Sequence, residues 1–443
     1  MPRPRRAVAA LVIAAARAAA APLAWSAPPF DTSPLAGIPL LANASAPTVI
    51  FYGTLADGAY NHGAMITIFN GALHATWKNG VGESKEDATG QRVRWSASTD
   101  GANWSPSRVI FPSLNTSTLP VALFAGPFAT INGHLYASAT PAVIFTGDAQ
   151  GSQFCLWPDG VDPRNAGPPG QKQPVGTLLL RRVLDEDTLG PLFWAAPAVP
   201  AGFGPASAAA GILTLDETDA ATRADVALLR ADLPALPCDA AAGTTKCEAV
   251  LRGAQDYEHL PLDDHLANER SHWVVPAAHP QLGGADVLVY RSHSAALWAS
   301  VRGAAPGSAW SPVALSPVPN DDSNINAGNL PASCGGAAFI AANAVPHRAR
   351  NPLTLALAPD GLNFTAVRVV LDCAAIAANS TCVARSRAGA SGGPSYPQAI
   401  AVEAPAPAAL RGFFVVATNN KEDVVIARHS LDAVAQAAGG VCA

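Results

Sequence analysis

Short runs of alternating apolar and polar residues recur along most of the chain, and several come in pairs joined by a tight turn. Residues 66–77 and 129–138 are two such pairs, with Asn-Gly at Asn70-Gly71 and Asn132-Gly133. Alternation with a period of two places one face of a strand on a core, and Asn-Gly between two such runs predicts a hairpin. The pattern therefore predicts an all-β chain.

One turn is more informative than the others. Residues 98–104 read S-T-D-G-A-N-W, with strand-like runs at 92–96 and 108–111 on either side. The Ser and Asp side chains can accept hydrogen bonds from nearby backbone N–H groups, and the Gly supplies a positive φ. The Trp ring then covers the turn with a large apolar face. The segment predicts a hairpin that its own side chains hold closed.

The same arrangement recurs in weaker copies. Residues 353–364 repeat the strand, an Asp-Gly turn and an aromatic residue, with Ala358 in place of the Ser, and residues 297–312 and 178–194 are fainter versions. One stapled hairpin per unit at regular spacing is typical of a β-propeller with four-stranded blades. A β-sandwich with coincidental turns is the alternative.

Composition excludes some classes of protein. The 443 residues are 49% hydrophobic and 14% charged, with a formal net charge of −5, and no Lys/Arg cluster follows the first six residues. These values predict a globular chain and argue against nucleic acid as a partner. The spacing of acidic residues matches no calcium loop, so no metal or other cofactor is predicted. We expect a monomer or a weak association.

The first 27 residues have the pattern of a targeting segment. Three arginines within the first six residues precede an apolar run at 7–16, which Arg17 and Pro22 interrupt before it could span a bilayer. We expect residues 1–27 to direct secretion. An organellar transit peptide is the alternative.

Cysteine spacing and glycosylation signals also fit a secreted protein. The seven cysteines comprise two close pairs and three single residues: Cys238 with Cys247, Cys373 with Cys382, and Cys155, Cys334 and Cys442. Each close pair suits a local disulfide, and one of the other three stays free or pairs between chains. Sequons begin at Asn43, Asn115, Asn363 and Asn379.

Two regions do not follow the hairpin pattern. Residues 147–173 are rich in Gly, Pro and Asp and predict a long loop. Residues 218–254 contain a helix-like stretch at 220–231 and are predicted to be an insertion between blades. Residues 28–443 otherwise form one domain.

Polar side chains at the starts of inner strands are the candidates for function, because inner strands line the channel of a propeller. The candidate segments are residues 60–66, 83–87, 268–274, 289–291 and 395–398, together with Arg350. With the S-x-D-G-x-x-W turn, called the Asp box, these segments resemble the sialidase superfamily over roughly residues 49–431. The resemblance implies a six-bladed β-propeller of four-stranded antiparallel blades.

The resemblance also implies catalytic roles. Tyr396, in S-Y-P-Q, resembles the nucleophilic tyrosine, and Glu269 resembles the glutamate that activates it. Asp87 lies where the family keeps its acid/base aspartate. A neutral Tyr suits a substrate whose anomeric carbon bears a carboxylate, since a charged nucleophile would be repelled. The implied activity is exo-glycosidase action on a terminal acidic sugar, such as a sialic acid.

Arginines hold the substrate carboxylate in that family. Arg291 resembles the second of them and Arg350 the third, with Arg348 as a rival for the same role. The chain departs from the family at the first, because His62 stands at or near the place of that arginine, and a neutral imidazole lacks the fork of a guanidinium. Two other functions therefore remain open: a propeller that binds glycans or proteins without catalysis, and a lyase for acidic polysaccharides that uses His62 with Tyr396.

Overall fold

The computed structural model describes residues 23–27, 38–42, 45–82, 89–114, 121–144, 172–174, 177–200, 202–231, 270–291, 296–305, 307–308, 310–311, 314–320, 323–345, 350–376, 383–385 and 392–442. The first strands are β1 (Ala24–Trp25), β2 (Thr48–Phe51), β3 (Tyr60–Phe69), β4 (Ala72–Gly80), β5 (Arg92–Ser98), β6 (Arg108–Phe111), β7 (Val121–Ala125) and β8 (Ala129–Ile131). Next come β9 (His134–Ile144), β10 (Lys172–Pro174), β11 (Leu179–Val183), β12 (Leu189–Trp194), β13 (Arg270–Val274), β14 (Asp286–Tyr290), β15 (Ala296–Arg302) and β16 (Ala314–Pro319). The last are β17 (Asn326–Asn329), β18 (Ala338–Ala342), β19 (Leu353–Ala358), β20 (Asn363–Phe364), β21 (Ala366–Leu371), β22 (Pro394–Val402), β23 (Gly412–Asn419) and β24 (Asp423–His429). Helices are α1 (Gly204–Ala210), α2 (Ala220–Ala231) and α3 (Leu431–Ala437).

Nearly all strands belong to five antiparallel sheets, so the predicted all-β class and the four-stranded antiparallel unit are confirmed. Sheet 1 is β3-β4-β5-β6; sheet 2 is β9-β11-β12 with β7, β8 and β10 also paired to β9. Sheets 3 and 4 are β13-β14-β15-β16 and β17-β18-β19-β21, and sheet 5 is β22-β23-β24 with the early strand β2 on its outer edge. Among the described residues four of the five sheets have four strands and sheet 2 has six, and β1 and β20 form a separate parallel pair. The number of six blades stays a prediction.

The first strands of the sheets lie side by side. Contacts run from β7 to β3, then to β22, β17 and β13. Side chains tie these strands together: the backbone N–H of Ala399 donates to Asn326 Oδ1 at 2.9 Å, and that of Ala327 donates to Ser271 Oγ at 2.6 Å. The Ile66 N–H likewise donates to the side-chain oxygen of Gln398. These hydrogen bonds join four inner strands, β3, β22, β17 and β13, and β7 contacts β3 beside them.

Apolar cores fill the spaces between consecutive sheets. Separate clusters of buried residues join sheet 2 to sheet 1, sheet 1 to sheet 5, sheet 5 to sheet 4, and sheet 4 to sheet 3. Large aromatic side chains carry much of this burial; Trp77, Trp95 and Trp194 are all fully buried. Since each buries on the order of 200 Å², these contacts contribute strongly to stability. Sheet-to-sheet packing is what fixes the inner strands relative to one another.

The predicted turn at residues 98–104 is present and is closed by its own side chains. Ser98 Oγ accepts from the Gly101 N–H at 2.8 Å, and Asp100 Oδ1 accepts from the Ala102 and Asn103 N–H groups at 2.8 and 2.7 Å. The Trp104 indole N–H donates to the Gly101 carbonyl at 3.3 Å. Glycine is required because φ is 75° and an added Cβ would lie 2.9 Å from the Phe414 ring.

The copies of this turn vary in completeness. Asp360 Oδ1 accepts from the Leu362 and Asn363 N–H groups at 2.9 and 2.7 Å, and Gly361 again has a positive φ of 82°. In the faintest copy, Asp185 accepts from two backbone N–H groups, at 2.8 and 2.7 Å. The turns thus share one hydrogen-bonding scheme.

The predicted helix at 220–231 is confirmed as α2. Its buried Asp225 accepts hydrogen bonds from Asn132 Nδ2 at 2.8 Å and Tyr136 Oη at 2.7 Å, and lies 2.6 Å from His134 Nδ1. Burial, together with the neighbouring Asp225 carboxylate, raises the pKa of Tyr136 well above its usual value. These bonds fix the helix to sheet 2. Most of the predicted loop at 147–173 and the rest of the predicted insertion after 231 lie outside the described residues.

Cys334 and Cys442 form a disulfide, which pairs two of the three cysteines that the sequence left single. Cys373 is also disulfide-bonded, and its predicted partner Cys382 lies outside the described residues, as do Cys155 and the Cys238–Cys247 pair. In the part of the chain that the structure describes, no helix is both long and apolar enough to cross a membrane.

Candidate active site

Tyr396 lies at an irregular point of inner strand β22. The register between β22 and β23 shifts between Ser395 and Gln398, so Tyr396 and Pro397 form a bulge. Tyr396 has a φ of 57°, a left-handed conformation that is rare for an aromatic residue, and its side chain is only 5% exposed. Bulges redirect side chains and are frequent beside active sites. The bulge in β22 therefore determines the direction of the Tyr396 side chain.

A second bulge lies opposite the first, on inner strand β3. The register between β3 and β4 shifts between His62 and Met65, where Gly63 has a φ of 58°. His62 is buried, and its ring lies against the Tyr396 ring with centroids 3.9 Å apart and planes at 67°. The two bulges thus bring an imidazole and a phenol into contact.

Three cationic side chains surround the phenol. Arg291 Nη1 donates to the Tyr396 hydroxyl oxygen at 3.2 Å. The guanidinium carbon of Arg350 lies 5.1 Å from the centre of the Tyr396 ring, and Lys421 Nζ lies 4.9 Å from it. At these distances each cation is attracted by the ring, and together they create a strongly positive site. Such a site favours an anionic ligand.

Hydrogen bonds between loops hold the three backbone segments that carry Arg350, Tyr396 and Lys421. Asn343 Nδ2 donates to the carbonyls of Pro352 at 3.1 Å and Pro394 at 2.9 Å. Gly393 exchanges two hydrogen bonds with Asn420, at 2.7 and 3.0 Å. A Cβ on Gly393 would lie 2.3 Å from the Arg350 carbonyl, so only glycine allows this approach. The segments are fixed before any ligand arrives, which favours binding.

Glu422 and Asp423, the two carboxylates that follow Lys421 in the sequence, bind Arg385. Asp423 accepts two hydrogen bonds from the Arg385 guanidinium, at 2.6 and 3.0 Å, and Glu422 accepts from the Arg385 backbone N–H at 2.8 Å. Burial alone would lower the pKa of Arg385, but its hydrogen bonds to Asp423 outweigh burial and raise that pKa. Among the described residues, Arg350 has no carboxylate partner and contacts the Tyr396 ring. The Glu422 and Asp423 carboxylates are therefore bound to Arg385.

Four of the six site residues predicted from sequence converge here. His62, Arg291 and Arg350 all contact the side chain of Tyr396. Asp87 and Glu269 lie outside the described residues, as does the rival Arg348, so their roles stay predictions.

Sequence reasoning missed Lys421. Lys421 lies in the β23–β24 connection, residues 420–422, and has a positive φ like the glycines of the two Asn-Gly turns.

Comparison with known proteins rests on structure alone. No protein-family model matches the chain, and no curated protein matches it. A solved structure described as a sialidase is 15% identical over 92% of this chain and 35% of that one, with a TM-score of 0.61. The chain thus spans about a third of the length of that protein.

Weaker likenesses include two other solved structures. The NanB sialidase from Streptococcus pneumoniae is 10% identical over 87% of this chain and 71% of that one, with a TM-score of 0.49. The intramolecular trans-sialidase from Ruminococcus gnavus is 9% identical over 86% of this chain and 97% of that one, with a TM-score of 0.46. These two scores are too low to carry an argument. The first match shows that this chain shares its fold with that solved sialidase.

Proposed function

We propose that this chain is an exo-acting glycoside hydrolase that removes a terminal acidic sugar, a sialic acid or a related one, from glycans. The observation that carries the proposal is the Tyr396 hydroxyl within hydrogen-bond distance of Arg291, with Arg350 and Lys421 beside the same ring. The proposal includes a closed six-bladed ring and secretion directed by residues 1–27.

The chemistry follows from the charges. An acidic sugar carries its carboxylate into the cluster, where Arg350 and Arg291 bind it through charge-assisted hydrogen bonds. Tyr396 then attacks the anomeric carbon, forming a bond from its oxygen while the bond to the leaving group breaks. A neutral phenol approaches the anionic sugar without the repulsion that Asp or Glu would meet. The positive charge of Arg291, 3.2 Å from the phenol oxygen, stabilises the phenolate as the proton leaves.

Two carboxylates complete the proposed cycle. Glu269 accepts the phenol proton, and Asp87 donates a proton to the leaving oxygen. Asp87 then takes a proton from water, whose oxygen bonds to the anomeric carbon as the bond to Tyr396 breaks, and Glu269 returns its proton to the phenolate oxygen. These two roles rest on the resemblance in sequence, whereas the role of Tyr396 also rests on the geometry around it.

A second candidate is a polysaccharide lyase, which the contact between His62 and Tyr396 favours. In that reaction one of the two side chains removes the proton on C5 of a uronate, and the electron pair forms a double bond between C4 and C5. The C4–O bond to the next sugar breaks, and the other side chain protonates the leaving oxygen. The same cations would neutralise the uronate carboxylate.

The test offers purified protein three substrates: an aryl α-glycoside of a sialic acid, an aryl glucuronide and a polyuronate. A Tyr396→Phe protein purified in the same way measures background from other hydrolases. Release of the aryl alcohol by wild type alone supports the hydrolase. Absorbance from a new carbon–carbon double bond with the polyuronate overturns it in favour of the lyase. If neither signal exceeds background, the catalytic proposal is wrong, and binding of the acidic sugars would then identify a non-catalytic lectin.

A further inference from the structure

Three hairpins among the described residues contain two consecutive residues in the left-handed conformation. The values of φ are 47° and 76° at Asn70-Gly71, 49° and 75° at Asn132-Gly133, and 59° and 56° at Asn420-Lys421. A turn of this type needs positive φ at both central positions, which is why Asn-Gly is strongly preferred. The third hairpin, between β23 and β24, has a connection of three residues, 420–422, and places a lysine at the second left-handed position.

Lysine at this position is unfavourable for the backbone. A residue with a Cβ brings that atom close to the following carbonyl oxygen in the left-handed conformation, and glycine avoids the contact. The two Asn-Gly turns have exposed asparagines, whereas Asn420 is 2% and Lys421 only 8% exposed. Backbone strain of this kind persists where the surroundings impose it and where function uses it.

Hydrogen bonds from both sides of the site impose the conformation. The Lys421 carbonyl accepts from the Asn61 N–H at 2.7 Å, and the Glu422 carbonyl accepts from Asn61 Nδ2 at 2.5 Å. On the other side, Asn420 pairs with Gly393, three residues before Tyr396. The turn therefore bridges the residue preceding His62 and the segment that leads to Tyr396, with Lys421 Nζ 4.9 Å from the phenol ring.

We infer that Lys421 binds the acidic group of the substrate, and so supplies a cation at a site where His62 stands in place of the arginine that the resemblance implies. A neutral imidazole at that position carries no charge to bind a carboxylate. An ammonium is a compact charge with three donors, which can reach the carboxylate from a neighbouring turn. This inference rests on the proposed function and names the residue that completes its acid-binding site.

The test separates charge from strain with matched variants. Lys421→Gly and Lys421→Asn both remove the charge from a position where glycine and asparagine tolerate positive φ. Gly133→Lys creates the same strain in the exposed hairpin, where an added Cβ meets no atom within 4 Å. Calorimetry measures binding of a sialic acid, of glucuronic acid and of the methyl ester of each, and thermal unfolding gives the Tm.

We expect Lys421→Gly to bind the acids about 10- to 100-fold more weakly, the range for a lost hydrogen bond to a charged group. Binding of the esters should not change, and the Tm should rise by about 1–3 °C as the strain is removed. Lys421→Asn should lose the same affinity. Gly133→Lys should lower the Tm and leave binding unchanged.

Two outcomes would overturn the inference, and they differ in what else they overturn. If wild type and the Lys421 variants bind the acids equally, Lys421 does not bind the acidic group, and the proposed function stands without it. If wild type prefers neither acid over its ester, the acid-binding site itself is wrong, and the proposed function fails together with the role of Lys421.

Discussion

The outer turn at residues 98–104 and the inner bulge at Tyr396 use opposite solutions to the same problem of bending a strand. In the outer turn the positive φ falls on Gly101, and Ser98 and Asp100 accept backbone hydrogen bonds from residues at most three positions away. In the inner bulge the positive φ falls on a tyrosine, whose contacts come from positions 62, 291, 350 and 421. Local rules are obeyed in the scaffold and broken at the site.

The outer turn and the inner bulge also differ in how their charged side chains are used. In the outer turn, hydrogen bonds from the backbone and side chain of Asn103, and from the Ala102 N–H, hold the pKa of Asp100 well below its usual range. The Asp100 carboxylate therefore accepts its hydrogen bonds from residues of its own turn. At the inner bulge three cationic side chains instead contact one residue from other parts of the chain.

The largest difference between the regions should appear when Tyr396 loses its hydroxyl. Tyr396→Phe should lower kcat by about 10³-fold or more, because the nucleophile is gone, while the free energy of unfolding changes little. Steady-state kinetics on the preferred aryl glycoside and urea unfolding measure the two effects. Tyr136→Phe is the matched control, since it removes a buried hydroxyl bonded to Asp225. Tyr136→Phe should lower stability and leave kcat unchanged. If both variants lose activity equally, Tyr396 has no catalytic role that distinguishes it from a scaffold residue.

Acid should weaken the scaffold through two buried histidines. Burial lowers the pKa of His74 and of His429 from 6.5 to about 4. As pH falls from 6.5 towards 4, the unfolded chain therefore takes up protons before the folded chain does, and stability that is fully present above pH 6.5 is lost. Between pH 7 and pH 5 the two together should lower the free energy of unfolding by about 3 kcal/mol.

Urea unfolding at the two pH values measures that loss. In a double variant with His74→Gln and His429→Gln, the difference between the two pH values should shrink to about 1 kcal/mol or less. Equal sensitivity to acid in wild type and the double variant would show that other groups cause it.

Adding a methyl group to the outer turn should lower the free energy of unfolding and leave kcat unchanged. Gly101→Ala places a Cβ 2.9 Å from the Phe414 ring at a φ of 75°, and should lower the free energy of unfolding by about 2 kcal/mol. Gly90→Ala is the control, because its φ is 81° but no atom lies within 4 Å of the added Cβ. Gly90→Ala should cost less, and kcat should be normal in both. Equal costs would mean that the contact with Phe414 is unimportant.

The smallest effect is expected in the second stapled turn. Asp360→Ala removes the acceptor for two backbone N–H groups and should cost about 1 kcal/mol in unfolding. Asp360→Asn keeps a side-chain oxygen and should cost less. If both variants unfold like wild type, the hydrogen bonds of this turn contribute nothing measurable.

Sequence predicted the parts of this molecule that local chemistry determines. The stapled turns, the Asn-Gly hairpins and helix α2 depend on residues close together in the chain, and all were foreseen with good bounds. The Cys334–Cys442 pair was not, because 108 residues separate its members and spacing carries no information at that range. The pairing of β2 with the last sheet is equally remote in sequence.

The site was partly predictable, through resemblance rather than through pattern. Tyr396, Arg291, Arg350 and His62 come from four different strands or loops, and only the alignment of inner strands brings them together. The bulges that aim Tyr396 and His62 leave no mark in the alternation of apolar and polar residues. Lys421 carries no such resemblance, and only the folded chain brings its turn beside the Tyr396 ring.

A crystal structure of the chain with a sialic acid bound tests the central claim most directly, namely that the cluster around Tyr396 is where an acidic sugar binds. The account predicts the sugar carboxylate within about 3 Å of the guanidinium groups of Arg291 and Arg350, with the anomeric carbon facing the Tyr396 oxygen. A sugar bound at another place on the molecule, or an empty cluster in crystals saturated with the acid, would contradict it.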